Sequence, residues 1–357
     1  MPANNTGYRA AKPTLVFGAS SNESNRAISQ QLLRLVVSEN AQGLYTCEAT
    51  LNNWDPQQKP GGFLYFDRRT LEFGKTFQVK LEDANIFEGR IMALEAQFPA
   101  GTPPSLSVLA EDRLQDLRMT RRTRAFENIS DADLFRQLAR EHSLTADVRV
   151  SGPTHRVLAQ VNQSDLALMR ERARAMGVEV WVEDSRLIAK PRPDRSTSAL
   201  EMDYKGSLRD FTVLADLSQQ CTSAVVSGWD VADKSAIQSE GTAQSLGNEL
   251  GSLQSGAAIL QNALGSRKAA IAHTTPFSSQ EARAEAESYF QLAARRFVIG
   301  RGVCEADARL RVGRQVTLKK LGALFDGVYT LTEVKHIYDG RGIRTEFVVE
   351  RPGLGQP

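Results

Sequence analysis

Four histidines and a few carboxylate pairs are the residues of this sequence that could do acid–base or metal chemistry. The histidines do not recur at the short spacings of metal ligands; they are His142, His155, His273 and His336. His336 lies in a stretch that predicts a strand, so we expect a half-buried polar residue there rather than a proton shuttle. The acids of Glu82-Asp83 and Glu111-Asp112 are expected to be solvated, since no pattern places two carboxylates across a cleft.

Known catalytic motifs are missing from the sequence. It contains no HExxH, GxSxG or Walker A motif. Gly300-Arg-Gly302 lacks the third glycine of a dinucleotide-binding loop, and we expect it to end a helix rather than to follow a strand. The charges between Ser278 and Arg296 predict an exposed helix face rather than an anion site. We therefore expect no enzyme, no cofactor and no bound metal.

Length and composition indicate a soluble globular protein. The 357 residues suffice for two or three domains, with 41% hydrophobic and 24% charged residues. The net charge of +2 gives no indication of nucleic-acid or membrane binding, and the arginines of 118–124 are expected on a solvated strand or linker. Cys47, Cys221 and Cys304 are an odd, scattered set, which suits buried thiols in a reducing compartment. No apolar run or leader predicts a membrane span or secretion signal.

Two stretches of the chain predict similar β-hairpins. Gly74 and Gly313 are each followed by a basic residue and by apolar residues at every second position, the pattern of a strand with one buried face. Each stretch then turns and restarts at a phenylalanine, an acid and a glycine. A glycine at the start of a strand suits a bulge or a close backbone approach.

The spacing of further residues predicts an internal duplication. The offset is 239 residues from Gly74 to Gly313, 238 from Gly89 to Gly327, and 175 from Trp54 to Trp229. The second copy therefore carries about 64 extra residues before its hairpin. The landmarks of the proposed repeat are Trp54, Gly74, Phe87 and Gly89 in one copy and Trp229, Gly313, Phe325 and Gly327 in the other.

Between the two β units the pattern changes to α/β. Ser130 and Ser164 each precede a run with helical periodicity, as N-cap residues do. The predicted fold class is α+β, mainly β, with two β domains from the duplication and a small α/β domain inserted between them. The expected domains are 1–120, 121–195 and 196–357. The last contains a long loop and helix insertion at 232–300, in which 232–266 is expected to be a long, partly helical loop.

Three stretches resemble the phage late control D family, which includes the VgrG-like baseplate hubs. Val161-Asn-Gln-Ser-Asp-Leu-Ala-Leu-Met-Arg-Glu-Arg-Ala-Arg-Ala-Met-Gly-Val-Glu-Val-Trp181 is similar to its signature "ESDxxFLxRLAxxxGxxxxF". Ile129 to Leu144 resembles the preceding helix, and Phe325 to Tyr338 the closing hairpin. Leu168-Met169 stands where the family has Phe-Leu, a change that conserves volume. The sequence stops after the last strand, without the needle of a full VgrG.

This resemblance implies a structural protein of a tail baseplate. The two β domains would be barrels like the tail-tube protein, braced by the α/β domain, and three chains would form a ring of six barrels. The implied partners are two further copies of the chain, a separate spike protein below, the tail tube above and other baseplate proteins at the periphery. No nucleic-acid specificity and no stable membrane insertion are implied. The expected location is a virion or phage-like particle, assembled in the host cytoplasm.

Two other functions remain open from the sequence. A tail adhesin or carbohydrate-binding module would be favoured by exposed aromatic clusters on loops, whereas Trp54, Trp181 and Trp229 are expected on strands in the core. A cell-wall hydrolase would need a catalytic constellation, which the extra 64 residues do not contain.

Overall fold

A computed structural model describes residues 12–18, 21–57, 62–195, 199–230, 234–272 and 276–356, and the chain is mainly β. In these ranges the strands are β1 (Thr14–Phe17), β2 (Leu32–Asn40), β3 (Thr46–Asn52), β4 (Thr76–Leu81), β5 (Ala84–Gln97), β6 (Ser105–Glu111), β7 (Arg121–Ser130), β8 (Thr145–Val148), β9 (Thr154–Ser164), β10 (Val178–Glu183), β11 (Arg186–Pro191), β12 (Leu200–Asp203), β13 (Leu208–Ala215), β14 (Ser223–Asp230), β15 (Ser235–Gly241), β16 (Gln254–Ser255), β17 (Lys268–Ile271), β18 (Val298–Glu305), β19 (Gln315–Lys319), β20 (Gly327–Asp339), β21 (Gly342–Arg351) and β22 (Gly353–Leu354).

The helices in the same ranges are α1 (Asn22–Gln30), α2 (Leu114–Arg118), α3 (Asp131–Glu141), α4 (Asp165–Ala175), α5 (Gly256–Leu264) and α6 (Ser279–Arg295), with 3-10 turns at Arg192–Arg195 and Ala243–Glu249. None of these helices is long and apolar enough to cross a membrane. The chain divides into two compact units. The first comprises Met1–Gln115, Val303–Val312 and Glu333–Phe347, and the second comprises Asp116–Gly302, Gly313–Thr332 and Val348–Pro357.

The first unit is built on one antiparallel sheet. Its strands run in the order β1-β4-β5-β6-β3-β2 and continue through the parts of β20, β21 and β18 that belong to this unit. The alternation predicted for β4 is confirmed, because Phe77, Val79 and Leu81 all point into the core. Helix α1, which no sequence pattern predicted, begins where the Ser21 side chain accepts the Ser24 backbone N–H, and it buries Ile28.

A small α/β module, residues 121–191, forms one part of the second unit. Strands β7 and β9 pair as a two-stranded ribbon, and β10-β11-β8 form a three-stranded sheet. Helices α3 and α4 begin as predicted, because Ser130 and Ser164 accept backbone N–H groups of the first turn. The helices bury an apolar face that includes Leu134, Phe135, Leu138, Leu168 and Met169.

The rest of the second unit corrects two expectations. Residues 234–266 are not a long loop: they contain β15, a 3-10 turn, β16 and α5, and β15 pairs with β14. Their short elements carry too little periodicity to be visible in sequence, but they cover a core that α6 closes. That core consists of Cys221, Ala224, Val226, Ile237, Leu246, Ala257, Ile271, Ala282, Ala286, Phe290 and Ala294. Gly300-Arg-Gly302 lies inside β18, where a β-carbon on Gly300 would stand 2.3 Å from Phe211 Cζ.

Candidate functional site

The two predicted hairpins begin with the same backbone geometry. Gly74 and Gly313 adopt left-handed φ angles of +74° and +83°. The Gly74 N–H donates to Ile91 O at 2.8 Å, and the Gly313 N–H donates to Leu331 O at 2.8 Å. In return, Ile91 N–H donates to the carbonyl of the residue after Gly74, and Leu331 N–H does the same after Gly313. Glycine is favoured at both positions because a β-carbon strains this region of φ.

The pairing register differs further along each hairpin. Gly89 lies opposite Phe77 on the neighbouring strand, whereas Gly327 lies opposite Leu318. Gly89 therefore lies opposite the third residue after Gly74, whereas Gly327 lies opposite the fifth residue after Gly313. A β-carbon on Gly89 would stand 2.2 Å from Glu111 O, so this glycine is required by a close backbone approach.

The remaining landmarks lie in different surroundings. Phe87 is buried on β5, opposite Val79. Phe325 precedes β20, and its carbonyl accepts the Tyr329 hydroxyl at 2.7 Å. Trp54 follows β3 and forms an isolated bridge to Phe63, whereas Trp229 lies inside β14.

The expectation that all three tryptophans are core residues is correct only for Trp181, which is buried. Trp229 is 56% exposed, because β14 turns Ala224 and Val226 toward the core and leaves the side chain of residue 229 on the outside. Trp54 is half-buried and belongs to an exposed cluster of rings, the aromatic patch, formed by Trp54, Phe63, Phe66 and Phe98. Phe98 is the most exposed of these rings, at 63%.

An ionic cluster in the second unit joins the α/β module to strand β21. Arg192 contacts Glu179 of β10 through Nε at 2.7 Å and also pairs with Glu350 of β21. Arg195 Nη1 lies 3.0 Å from Glu179 Oε2, and its guanidinium covers the Trp181 ring. Burial opposes the charged form of Glu179, but Arg192 and Arg195 outweigh it and lower its pKa. The same balance, with the two carboxylates as partners, raises the pKa of Arg192.

A second ionic cluster surrounds the first residue of α3. Asp131 is buried and contacts Arg172 Nε at 2.7 Å and His155 Nε2 at 2.9 Å. Glu281 of α6 approaches Arg172 Nη2 at 3.4 Å. Burial tends to raise the pKa of Asp131, but the hydrogen bonds from His155 and Arg172 lower it overall.

A third cluster surrounds the first residue of α4. Asp165 is buried and contacts His142 Nε2 at 2.8 Å, Arg124 Nη2 at 3.0 Å and Gln160 Nε2 at 2.8 Å. Against the effect of burial, these partners lower the pKa of Asp165. The carboxylates also lie at helix N-termini, where negative charge is favoured. In all three clusters the charged groups satisfy one another, an arrangement that fixes the position of the elements.

His336 differs from the expected half-buried residue because it is fully buried in the first unit. Its Nδ1 lies 2.9 Å from Thr345 Oγ1. Burial, together with the nearby Arg311, lowers the pKa of His336 to about 4. Cys47, Cys221 and Cys304 are buried free thiols. His273 lies outside the described residues, and among those described no group of histidine, cysteine and acidic side chains could hold a metal ion.

The sequence matches one family model over most of its length. That model, described as the Alg8 N-terminal domain, matches residues 20–339. Its description differs from that of the late control D family, which the sequence motifs resemble. No curated protein matches the sequence.

Several solved structures share the fold at low sequence identity. A 43 kDa tail protein of prophage MuSo2 from Shewanella oneidensis matches with a TM-score of 0.72 and 10% identity, over 96% of this chain and 98% of that one. A tail protein from Neisseria meningitidis MC58 matches with a TM-score of 0.69 and 11% identity, over 98% of both chains. A third match is an Escherichia coli protein, with a TM-score of 0.60 and 10% identity, over 96% of this chain and 79% of that one. It is described as a component of the type VI secretion system with structural similarity to the phage T4 tail proteins gp27 and gp5. The fold is therefore one found among tail and secretion-system proteins.

Proposed function

We propose that this chain, which belongs to the Alg8 N-terminal domain family, is a structural protein of a contractile tail or injection-system baseplate, and the proposal is drawn from its fold. The observation that carries the proposal is the extent of the fold match: two tail proteins are matched over nearly the full length of both chains. A fold alone does not determine function. The proposal therefore also rests on the three ionic clusters described above, which fix the elements of the second unit in place.

In its finer form, the protein is the central hub, a homotrimer that joins a sixfold tail tube to a threefold spike. A duplicated β domain would give a trimer six similar docking surfaces, which resolves the mismatch of symmetry. The shared backbone geometry of Gly74 and Gly313 supports such a duplication. In this role the domains keep the boundaries 1–120, 121–195 and 196–357, and the two outer ones are tube-like barrels.

The hub role requires binding partners and no catalytic step. Each copy would contact two other copies, the tube above, the spike below and further baseplate proteins around it. Binding free energy would come from the area buried at several interfaces. The three ionic clusters are closed by their own members, so we assign them to holding the elements of the second unit together under load.

The experiment that tests this role is immunogold labelling of assembled particles. Cells that encode the chain would express it with a C-terminal tag, and the purified particles would be imaged with a gold-conjugated antibody. The proposal predicts label at one end of each tail and about three copies of the chain per particle. Tagged chain found only in the soluble fraction, with intact untagged particles beside it, would refute a place in the baseplate.

A second candidate function, a surface-binding module, is favoured by the aromatic patch. Phe63, Phe66 and Phe98 are each more than a third exposed, and clustered exposed rings mark binding surfaces. The purified chain would be screened against glycans, with the Phe98→Ser variant beside it. The matched control is Phe73→Ser, since Phe73 is also exposed but lies against Arg68 outside the patch. Binding that only the Phe98 variant loses would favour the module, and no binding by any chain would remove it.

A further inference from the structure

The two halves of the α/β module share a sequence pattern at a constant offset of 34 residues. Seven of the 17 positions from Asn128 to Leu144 are identical to those from Asn162 to Val178. The identical positions are Asn128, Ser130, Asp131, Leu134, Arg136, Ala139 and Arg140, which match Asn162, Ser164, Asp165, Leu168, Arg170, Ala173 and Arg174.

The backbone repeats with the same offset. Asn128 and Asn162 adopt left-handed φ angles of +49° and +46°, each two residues before a serine N-cap. After the helices, Ser143 and Gly177 adopt +55° and +65°. Non-glycine residues rarely adopt these angles, so their recurrence at the matched Asn128 and Asn162, and again at Ser143 where the other half has a glycine, is a specific sign of a repeated unit.

Strand pairing relates the two halves by a local twofold axis. In the ribbon of β7 and β9, Ala125 pairs with Ala159, its own equivalent 34 residues later. On the three-stranded sheet, Ile188 pairs with Asp147 of β8 on one side and with Trp181 of β10 on the other. Residues 147 and 181 are again 34 apart. The axis therefore passes through the Ala125–Ala159 pair and through Ile188.

The aspartates of the second and third clusters, Asp131 and Asp165, are related by the same axis, and their arginine partners occupy exchanged positions. Asp131 is bound by Arg172 of helix α4, and Asp165 is bound by Arg124 of strand β7. The twofold equivalent of Arg172 is Leu138, and the equivalent of Arg124 is Leu158. Both leucines are buried. Each half therefore holds one arginine and one leucine at the same two positions, in opposite order.

We infer that the α/β module consists of two copies of one β-α-β unit, and that the surface of each copy is built to bind a second copy of itself. The contact surface of one copy is its ribbon strand, the aspartate that starts its helix, and the two positions that hold arginine and leucine. Its partner is the same surface, turned by 180 degrees. The inference stands whether or not the protein belongs to a tail.

The test moves the arginine of one cluster to its twofold-equivalent position. The variants are Arg124→Leu, Leu138→Arg and the double variant, made in the full-length chain and measured by urea unfolding. Arg124→Leu removes one cationic partner of the buried Asp165, beside which His142 and Arg122 remain, and Leu138→Arg places a charge at a buried apolar position. Each single change should therefore raise the unfolding equilibrium constant by more than about tenfold. In the double variant the arginine introduced on α3 should reach Asp165 as Arg172 reaches Asp131, and the increase should fall below about tenfold.

The matched control pairs Arg124→Leu with Leu134→Arg. Leu134 is also fully buried on α3, but its twofold equivalent is another leucine, Leu168, so no arginine is expected to reach the aspartate from this position. This double variant should show no recovery. If Leu138→Arg alone does not fold, recovery of a folded chain in the Arg124→Leu/Leu138→Arg variant is the expected result. If the Arg124→Leu/Leu138→Arg chain unfolds as readily as the control with Arg124→Leu and Leu134→Arg, the inference is overturned.

Discussion

Arg195 lies across the backbone of Gly313, so closely that a β-carbon on this glycine would stand 2.1 Å from Arg195 Cδ. The other side of the guanidinium faces the Trp181 ring, 4.0 Å from its centroid. A glycine that opens a hairpin thus also makes room for the ionic cluster that joins β10 to β21. Residue 313 is therefore a glycine for two reasons, its left-handed φ and, above all, the lack of space beside Arg195.

Gly313→Ala should destabilise the chain more than the equivalent change in the first hairpin. At Gly313, alanine meets both the strain of a left-handed φ and the collision with Arg195, so we expect a loss of at least about 3 kcal/mol in the free energy of unfolding. At Gly74 nothing lies within 4 Å of the added β-carbon, so Gly74→Ala should cost about 1 kcal/mol from backbone strain alone. Urea unfolding of both variants measures the difference. Equal losses would show that the Arg195 contact is not a constraint.

Glu350→Gln should strongly destabilise the second unit. The change removes the charge that Arg192 faces across the cluster, and breaking a buried pair from one side costs about 3 kcal/mol. The matched control is Glu287→Gln on α6, whose partner Arg283 is 75% exposed and should be released to water without measurable change. Thermal and urea unfolding would compare the two variants. A Glu350→Gln chain as stable as the control would mean that the cluster is dispensable.

His336 should make the chain less stable below neutral pH. Burial and Arg311 lower its folded pKa to about 4, from an ordinary value of 6.5, so the unfolded chain takes up the proton first. The stabilisation is therefore complete above pH 6.5 and is lost as the pH falls toward 4, by about 3 kcal/mol for a group that stays buried. Unfolding free energies of the wild type and of His336→Leu at pH 7, 6 and 5 check this.

In His336→Leu the Thr345 hydroxyl loses its hydrogen-bond partner, so the free energy of unfolding shifts by the same amount at every pH. The relevant quantity is the slope against pH between 7 and 5. The wild type should show an additional fall that the leucine variant lacks. Parallel slopes would contradict a depressed pKa at this residue.

The sequence predicted those parts of the fold that follow from local periodicity. Alternation around Phe77 and Val316 identified both hairpins, and the serines at 130 and 164 identified the starts of α3 and α4. Trp229 was placed wrongly, because the period of a strand does not say which face meets the core. The elements between residues 234 and 266 were missed, because they are short and gain their stability from packing under α6.

The ionic clusters were not predictable because their members come from distant segments. Glu179, Arg192 and Glu350 span more than 170 positions of sequence and meet only through the pairing of strands. The 34-residue repeat was present in the sequence, but the positions at which its two halves pair through arginine and leucine do not match in a direct alignment. Arginine and leucine are exchanged between Arg124 and Leu138 in one half and Leu158 and Arg172 in the other, and only the twofold axis shows that they are equivalent.

The mass of the purified chain in solution tests the central claim most directly. Light scattering would be recorded over a range of concentrations, first for the chain alone and then with the tube and spike proteins of the same particle. A symmetry adaptor predicts about three times the 39.3 kDa of one chain, either alone or as a complex with three copies of the spike chain. A single-chain mass at every concentration, unchanged by tube and spike proteins, would contradict the hub.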